Sequence, residues 1–205
     1  MDPMSWIATL LAIAITVIIL SIAWSGVAGA PWLPSARHRV RRMLELAEVQ
    51  PEDVVYDLGS GDGRVLLVAA RDFGARAVGI EIDPFRCAWT QMHLKARGLS
   101  DRAQVTWGNF FHQDLSGADV VTVYLRQDTN NRLMDKLWRE LQPGARVVSN
   151  TFIFPGWEVE TIDREEHLYL YRIRDEAVNP IDTRRAHTRT DEAAQNAPNR
   201  RPDGP

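Results

Sequence analysis

The chain has 205 residues, room for one domain of ordinary size with appendages. Its 24 Lys and Arg against 27 Asp and Glu give a formal charge of −3, which argues against a domain devoted to duplex nucleic acid. A single cysteine, Cys87, excludes an internal disulfide framework and a cysteine-built zinc site, and reads as a buried helix residue.

No residue from Pro3 to Ala36 is charged. The run from Trp6 to Trp24 is almost wholly Ile, Leu, Val and Ala. Its length of about 20 residues suits a helix across a bilayer core, with a tryptophan for each interface. Arg37, Arg39, Arg41 and Arg42 follow it, whereas only Asp2 and the α-amino group precede it. That bias places the N-terminus outside and the rest of the chain in the cytoplasm. Ala28-Gly29-Ala30 offers a cleaved leader as the rival reading. The apolar run is too long for a leader's roughly 7–15 residues, and no basic region precedes it. Residues 1–30 are therefore expected to be an uncleaved anchor. The lack of an Arg-rich, Ser-rich transit segment favours a bacterial inner membrane.

Residues 31–50 read as a lid or linker. Pro31 and Pro34 stiffen the approach to an amphipathic helix over 37–49. Val40, Met43, Leu44 and Ala47 share one face of it, leaving the arginines to anionic lipid headgroups.

A domain over 51–175 follows. Strands are expected at 54–58, 77–83, 104–107, 119–125 and 146–154, alternating with helices at 65–73, 84–97 and 129–141. Pro84 opens the second of these helices and Gly98 closes it. Strands at 158–162 and 167–173 have only a turn between them, so they must pair antiparallel. The fold class is α/β: a Rossmann-like, seven-stranded, mostly parallel sheet ending in an antiparallel hairpin. Beyond residue 176 apolar periodicity is absent, and a disordered tail is expected to 205.

Chemistry concentrates in Asp57-Leu58-Gly59-Ser60-Gly61-Asp62-Gly63, between the first strand and the first helix. Glycines there permit φ > 0 and a close approach of backbone to ligand. A Walker loop needs a Gly-Lys-Ser/Thr ending, which is missing. The dinucleotide fingerprint needs a glycine where Arg64 stands. Glu81 ends the next strand, where one carboxylate can accept from both hydroxyls of a ribose. Asp57 and Glu81 surround the site with negative charge and no basic cluster awaits a pyrophosphate. A nucleoside bearing a sulfonium meets all three conditions.

Residues 57–63 resemble the first motif of the class I S-adenosylmethionine-dependent methyltransferases, and Gly79-Ile80-Glu81-Ile82-Asp83 resembles their second. The resemblance implies that Gly59, Gly61 and Gly63 line the methionine and ribose portions of S-adenosyl-L-methionine. It gives Asp57 the loop and the cofactor's amino group, Glu81 the ribose hydroxyls, and Asn109 and Phe110 the adenine. Ser60 belongs to the same turn, and its hydroxyl and the Asp62 carboxylate are expected to satisfy turn backbone.

A narrower resemblance rests on Pro31-Trp32-Leu33-Pro34, Gly108-Asn109-Phe110, the stretch 137–149, and Phe154-Pro155-Gly156-Trp157. These are similar to the small non-SET protein-lysine methyltransferases, which include archaeal broad-specificity enzymes. Membrane-anchored mitochondrial enzymes that modify an ATP synthase subunit and the adenine nucleotide translocase belong to the same group. The implied substrate is a lysine of a protein in or near the membrane. Thr122-Val123-Tyr124-Leu125 carries no Asn/Asp-Pro-Pro-Tyr motif, which counts against DNA bases and glutamine amides. Tyr124 is the candidate lining of a lysine channel, with Asn150 and Trp157 behind it, although Tyr124 also reads as a core residue. His38, His93, His112 and His167 show no triad or metal spacing, so no general base and no metal are assigned. Leu133, Leu137 and Leu141 read as core, and Trp107 and Trp138 as packing. Two alternatives stand beside this: a lipid or quinone acceptor, and a noncatalytic membrane scaffold that kept the fold.

Overall fold

The computed structural model describes residues 4–13, 15, 16 and 36–174. Residues 4–13 are helical, with Ile7, Leu10 and Leu11 exposed. Among the described residues no helix is long and apolar enough to cross a membrane. Much of the expected anchor, and the whole of the expected tail, lie outside the described residues.

Seven strands form one sheet: β1 (Val54–Leu58), β2 (Arg76–Glu81), β3 (Ala103–Trp107), β4 (Val120–Val123), β5 (Arg146–Asn150), β6 (Thr161–Asp163) and β7 (Leu168–Arg172). Their order is β3-β2-β1-β4-β5-β7-β6. The first five are parallel, and β7 lies antiparallel between β5 and β6. The order reverses between β1 and β4, and a crevice opens at such a reversal beyond the carboxyl ends of the strands.

Among the described residues, four α-helices accompany the sheet: α1 (Arg37–Leu46), α2 (Arg64–Asp72), α3 (Pro84–Ala96) and α4 (Gln127–Glu140). The apolar face read for α1 is real, since Val40, Met43, Leu44 and the following Ala47 are all buried. They join Leu66 and Ala69 of α2 with Val55, Val120 and Val148 of the sheet in one core. The arginines of α1 differ from expectation. Arg39 donates to Glu166 (2.9 Å), Arg42 to Asp163 (2.6 Å) and Arg41 to Asp72 (3.1 Å). Carboxylates at the end of β6, in the turn after it and in α2 thus take charges expected to face lipid. On α4, Leu133 and Leu137 are fully buried, as is nearly all of Leu141 just beyond it.

Strand β5 stops at Asn150, four residues short of the expected end. The run Val-Val-Ser-Asn-Thr-Phe-Ile-Phe has the composition of a strand. Thr151, however, adopts φ 70°, a left-handed conformation rare for a β-branched residue. Side chains from α4 hold the turn that follows: Asn130 Nδ2 donates to the Phe152 carbonyl (3.2 Å) and Gln127 Nε2 to the Ile153 carbonyl (2.8 Å). Beyond it Phe154, Trp157 and Tyr171 pack ring to ring, and Trp138 meets Trp157 edge-on at 5.5 Å.

Candidate active site

Register brings the chosen residues to one edge. Asp57 pairs with Gly79 on one side and Thr122 on the other, and Glu81 pairs with Trp107. Asn109 follows β3, Tyr124 follows β4, and Asn150 ends β5. All lie at the carboxyl end of the parallel strands, around the reversal point.

The glycine turn is left-handed at Gly59 (φ 82°), Gly61 (φ 54°) and Gly63 (φ 74°), and Gly63 is the N-cap of α2. A Cβ on Gly63 would lie 2.3 Å from Thr90 Cγ2, so α3 leaves no room for one. Thr90 Oγ1 in turn donates to the Gly61 carbonyl (3.1 Å). Gly79 clears the space below: a Cβ there would lie 2.6 Å from Ser60 Oγ and 2.7 Å from Leu66 Cδ1. Asp62 behaves as expected, accepting from the Arg64 backbone and side chain. Ser60 does not, because its buried hydroxyl finds no partner among the described residues.

Glu81 is buried and braces the turn. Its Oε2 accepts the Gly61 N–H (2.7 Å) and its Oε1 the Asp83 N–H (2.9 Å). Each oxygen keeps a second lone pair for a ligand hydroxyl. Asp57 is buried too, and its carboxylate accepts the Thr122 hydroxyl (2.8 Å). Burial pushes the Asp57 carboxyl up to about 7; the Thr122 bond opposes this, and the charges of Glu81 and Asp62 add to it. Neither acid pairs with a Lys or Arg among the described residues. Two buried acids without a counter-cation, beside an orphan hydroxyl and a turn with no room for side chains, fit a cationic nucleoside.

Asn109 caps the 3₁₀ turn Phe110–His112 by accepting the Phe111 N–H (3.0 Å), so its amide oxygen is committed to the loop. Phe110 is half-buried with its ring 4.8 Å from Phe111. Tyr124 is half-buried; Asn150 is fully buried and accepts the Thr151 hydroxyl (3.0 Å). Trp157, placed behind them from sequence, sits in the aromatic cluster with its indole N–H buried and unpartnered among the described residues. Trp107 overturns its expectation. It is 65 % exposed rather than packed, and its indole donates to the Ile82 carbonyl (3.1 Å).

Sequence reasoning missed Thr90 as a support of the site, and it quoted Thr122 and Asp83 within their motifs without the bonds they make. Asp83 is almost fully buried and caps α3 through Phe85 N–H (2.9 Å) and Arg86 N–H (3.3 Å). An acid just before Pro84 was the available signal for that cap. Thr90 had none, because its register against the turn depends on how α3 packs.

This sheet order, with the glycine turn and the acid ending β2, defines a class I S-adenosylmethionine-dependent methyltransferase. The model of the ANTKMT methyltransferase domain matches residues 57–161. A protein-lysine N-methyltransferase from Saccharolobus islandicus is 43 % identical over 150 residues, 70 % of this chain and 93 % of its own length. The adenine nucleotide translocase lysine N-methyltransferase of Mus musculus is 35 % identical over 62 % of this chain, which spans 56 % of that protein. A crystal structure from Salinibacter ruber, described as an RNA methyltransferase in complex with S-adenosyl-L-homocysteine, superposes with a TM-score of 0.69 at 42 % identity. It covers 71 % of this chain and 97 % of its own. The chain belongs to the ANTKMT family of S-adenosylmethionine-dependent protein-lysine methyltransferases.

Proposed function

We propose that this enzyme transfers methyl groups to lysine side chains of proteins in or beside a membrane. The observation that carries the reading is the acid-lined glycine turn at the reversal point, in a chain 43 % identical to an archaeal protein named for lysine methylation. S-adenosylmethionine, when bound, supplies a methyl group on a cationic sulfonium. Gly59, Ser60, Gly61 and Gly63 would hold its methionine and ribose portions, Glu81 the ribose hydroxyls, Asn109 and Phe110 the adenine, and Asp57 the cationic end.

Transfer to an amine is an in-line displacement, so alignment accounts for most of the rate. A lysine with an ordinary pKa near 10.4 must arrive as the free amine. A dry approach favours that neutral form. Tyr124 would line the approach with the buried Asn150 behind it, and water would carry the proton away.

Support for a membrane setting comes from the charge-free run Pro3–Ala36 and the arginines after it. The N-terminus would lie outside a bacterial inner membrane and the catalytic domain in the cytoplasm. Protease added to sealed inverted vesicles should then digest the domain.

The Salinibacter relative favours a second acceptor, RNA. Against it stands a formal charge of −3. Membranes and cell extract incubated with methyl-labelled cofactor separate the two. Label in protein, mapping to lysine by mass spectrometry and absent with Gly59→Ala or Glu81→Ala, is the expected outcome. Label in RNA, or label extracted into organic solvent, would overturn the lysine reading.

A further inference from the structure

Helix α3 has two apolar sides. Cys87, Thr90 and Leu94 face inward and are buried. Phe85, Trp89 and Met92, spaced i, i+4 and i+7, face outward and are 53 %, 51 % and 60 % exposed. Ala88 and Ala96 extend the same outer row and are exposed as well. A surface helix ordinarily turns charge toward solvent, and this outer row carries none. Trp107 enlarges the patch. Ala103 and Val105 of the edge strand are buried, and Trp107 continues their row by the two-residue period of a strand. Its bond to the Ile82 carbonyl sets the ring beside the start of α3.

Charge around the patch leans positive, with Asp101 as an exposed acid beside Arg102. The segment Pro84–Ala96 contains no acid in a chain with more acids than bases. At its carboxyl end come Lys95, Arg97 and, after one turn, Arg102. Arg97 and Arg102 donate to the backbone carbonyls of His93 (3.3 Å) and Gly74 (2.6 Å), which leaves their charge uncancelled by those partners. Phe85, Trp89 and Met92 on an exposed helix face, with Trp107 of the edge strand and flanking cations, are the makings of a helix lying in a membrane interface. A protein groove would select for shape, whereas indole rings and cations suit headgroups of negative charge.

We propose that the outer face of α3, together with Trp107, seats on an anionic bilayer surface. This deepens the membrane reading, giving the folded domain its own contact with lipid in addition to any anchor. The seat lies along the β3 edge of the sheet, beside the loop of Asn109 and Phe110, and leaves the ends of β4 and β5 open to an acceptor.

The test uses the full chain with Cys87→Ala and Met92→Cys, labelled at position 92 with an environment-sensitive fluorophore. A second preparation carries the label at position 139, an exposed site on α4. Both are mixed with vesicles of phosphatidylcholine, with or without phosphatidylglycerol, that contain a lipid-borne nitroxide quencher. The expected result is quenching and a blue shift at position 92 but not at 139. The effect should be stronger with phosphatidylglycerol and mostly lost with Trp89→Ser and Trp107→Ser together. Protein that floats with vesicles while position 92 stays unquenched would overturn the seat and leave the anchor standing. Protein that does not float at all would remove both. Quenching that appears only on adding a membrane protein, or self-quenching that grows with enzyme concentration, would assign the face to a protein partner or a second copy and overturn the lipid seat.

Discussion

Two aspartates four residues apart mark opposite ends of β1, and the fold treats them in opposite ways. Asp53, just before the strand, accepts from Arg146 (2.6 Å) and from the Gln50 N–H (2.7 Å). The same guanidinium donates to the carbonyls of Ala47 (2.8 Å) and Glu48 (3.1 Å), joining the end of α1 to the sheet. Asp57, at the other end, is equally buried but meets a hydroxyl and two further acids instead of a cation. One end of the sheet is finished by its own charges, and the other is left needing a positive ligand. That contrast separates stability from binding along a single strand.

The harshest break of the contrast is Gly63→Ala. Both the left-handed backbone and the 2.3 Å approach of Thr90 oppose it, so cofactor binding by calorimetry should vanish. Adding Thr90→Ser removes the nearest atom and should recover part of that binding. Next comes Glu81→Gln, whose single oxygen can accept only one of the two backbone N–H bonds; it should weaken cofactor by about 10–100-fold and lower the Tm as well.

The aspartates themselves should respond in crossed fashion. Asp53→Asn should cost about 2 kcal/mol of stability and leave cofactor affinity unchanged. Asp57→Asn should hold or raise the Tm of the free enzyme above pH 7 while weakening cofactor. If both variants moved the same property, the division would fail.

Titration sharpens it further. The Asp57 carboxyl is raised to about 7 in the folded chain from an ordinary 3.8, so the native state holds its proton more tightly. The contribution of this group to stability therefore rises as pH falls through 7 and levels off below 3.8. Cofactor affinity should run the other way, falling by up to about tenfold per unit below pH 7, because a cation prefers the ionised acid. The smallest effect belongs to Thr122→Val. It deletes the bond that lowers the Asp57 carboxyl and should move the midpoint of that pH dependence upward.

Local pattern carried the glycine turn, the acid at Glu81, the parallel alternation and the final hairpin, because each depends on neighbours in the chain. Contacts between distant segments were not legible. The end of β5 is set by Asn130 and Gln127, some twenty residues earlier, which draw the carbonyls of Phe152 and Ile153 away from a strand. Arg146 read only as the start of a strand, yet three of its bonds reach back to residues 47–53. Trp107 was misplaced for the opposite reason, since a large aromatic at the end of an edge strand has packing composition without a neighbour to cover it.

Thr90 has one further consequence. Its methyl fills the space above Gly63 and its hydroxyl holds the Gly61 carbonyl, so α3 and the turn behave as a key and its lock. A slide of the helix along its axis would carry the Thr90 hydroxyl away from the Gly61 carbonyl and disturb the turn. A load on the far side of α3 is therefore expected to reach the turn through Thr90, and the cofactor's dissociation rate is the measurement that would read it.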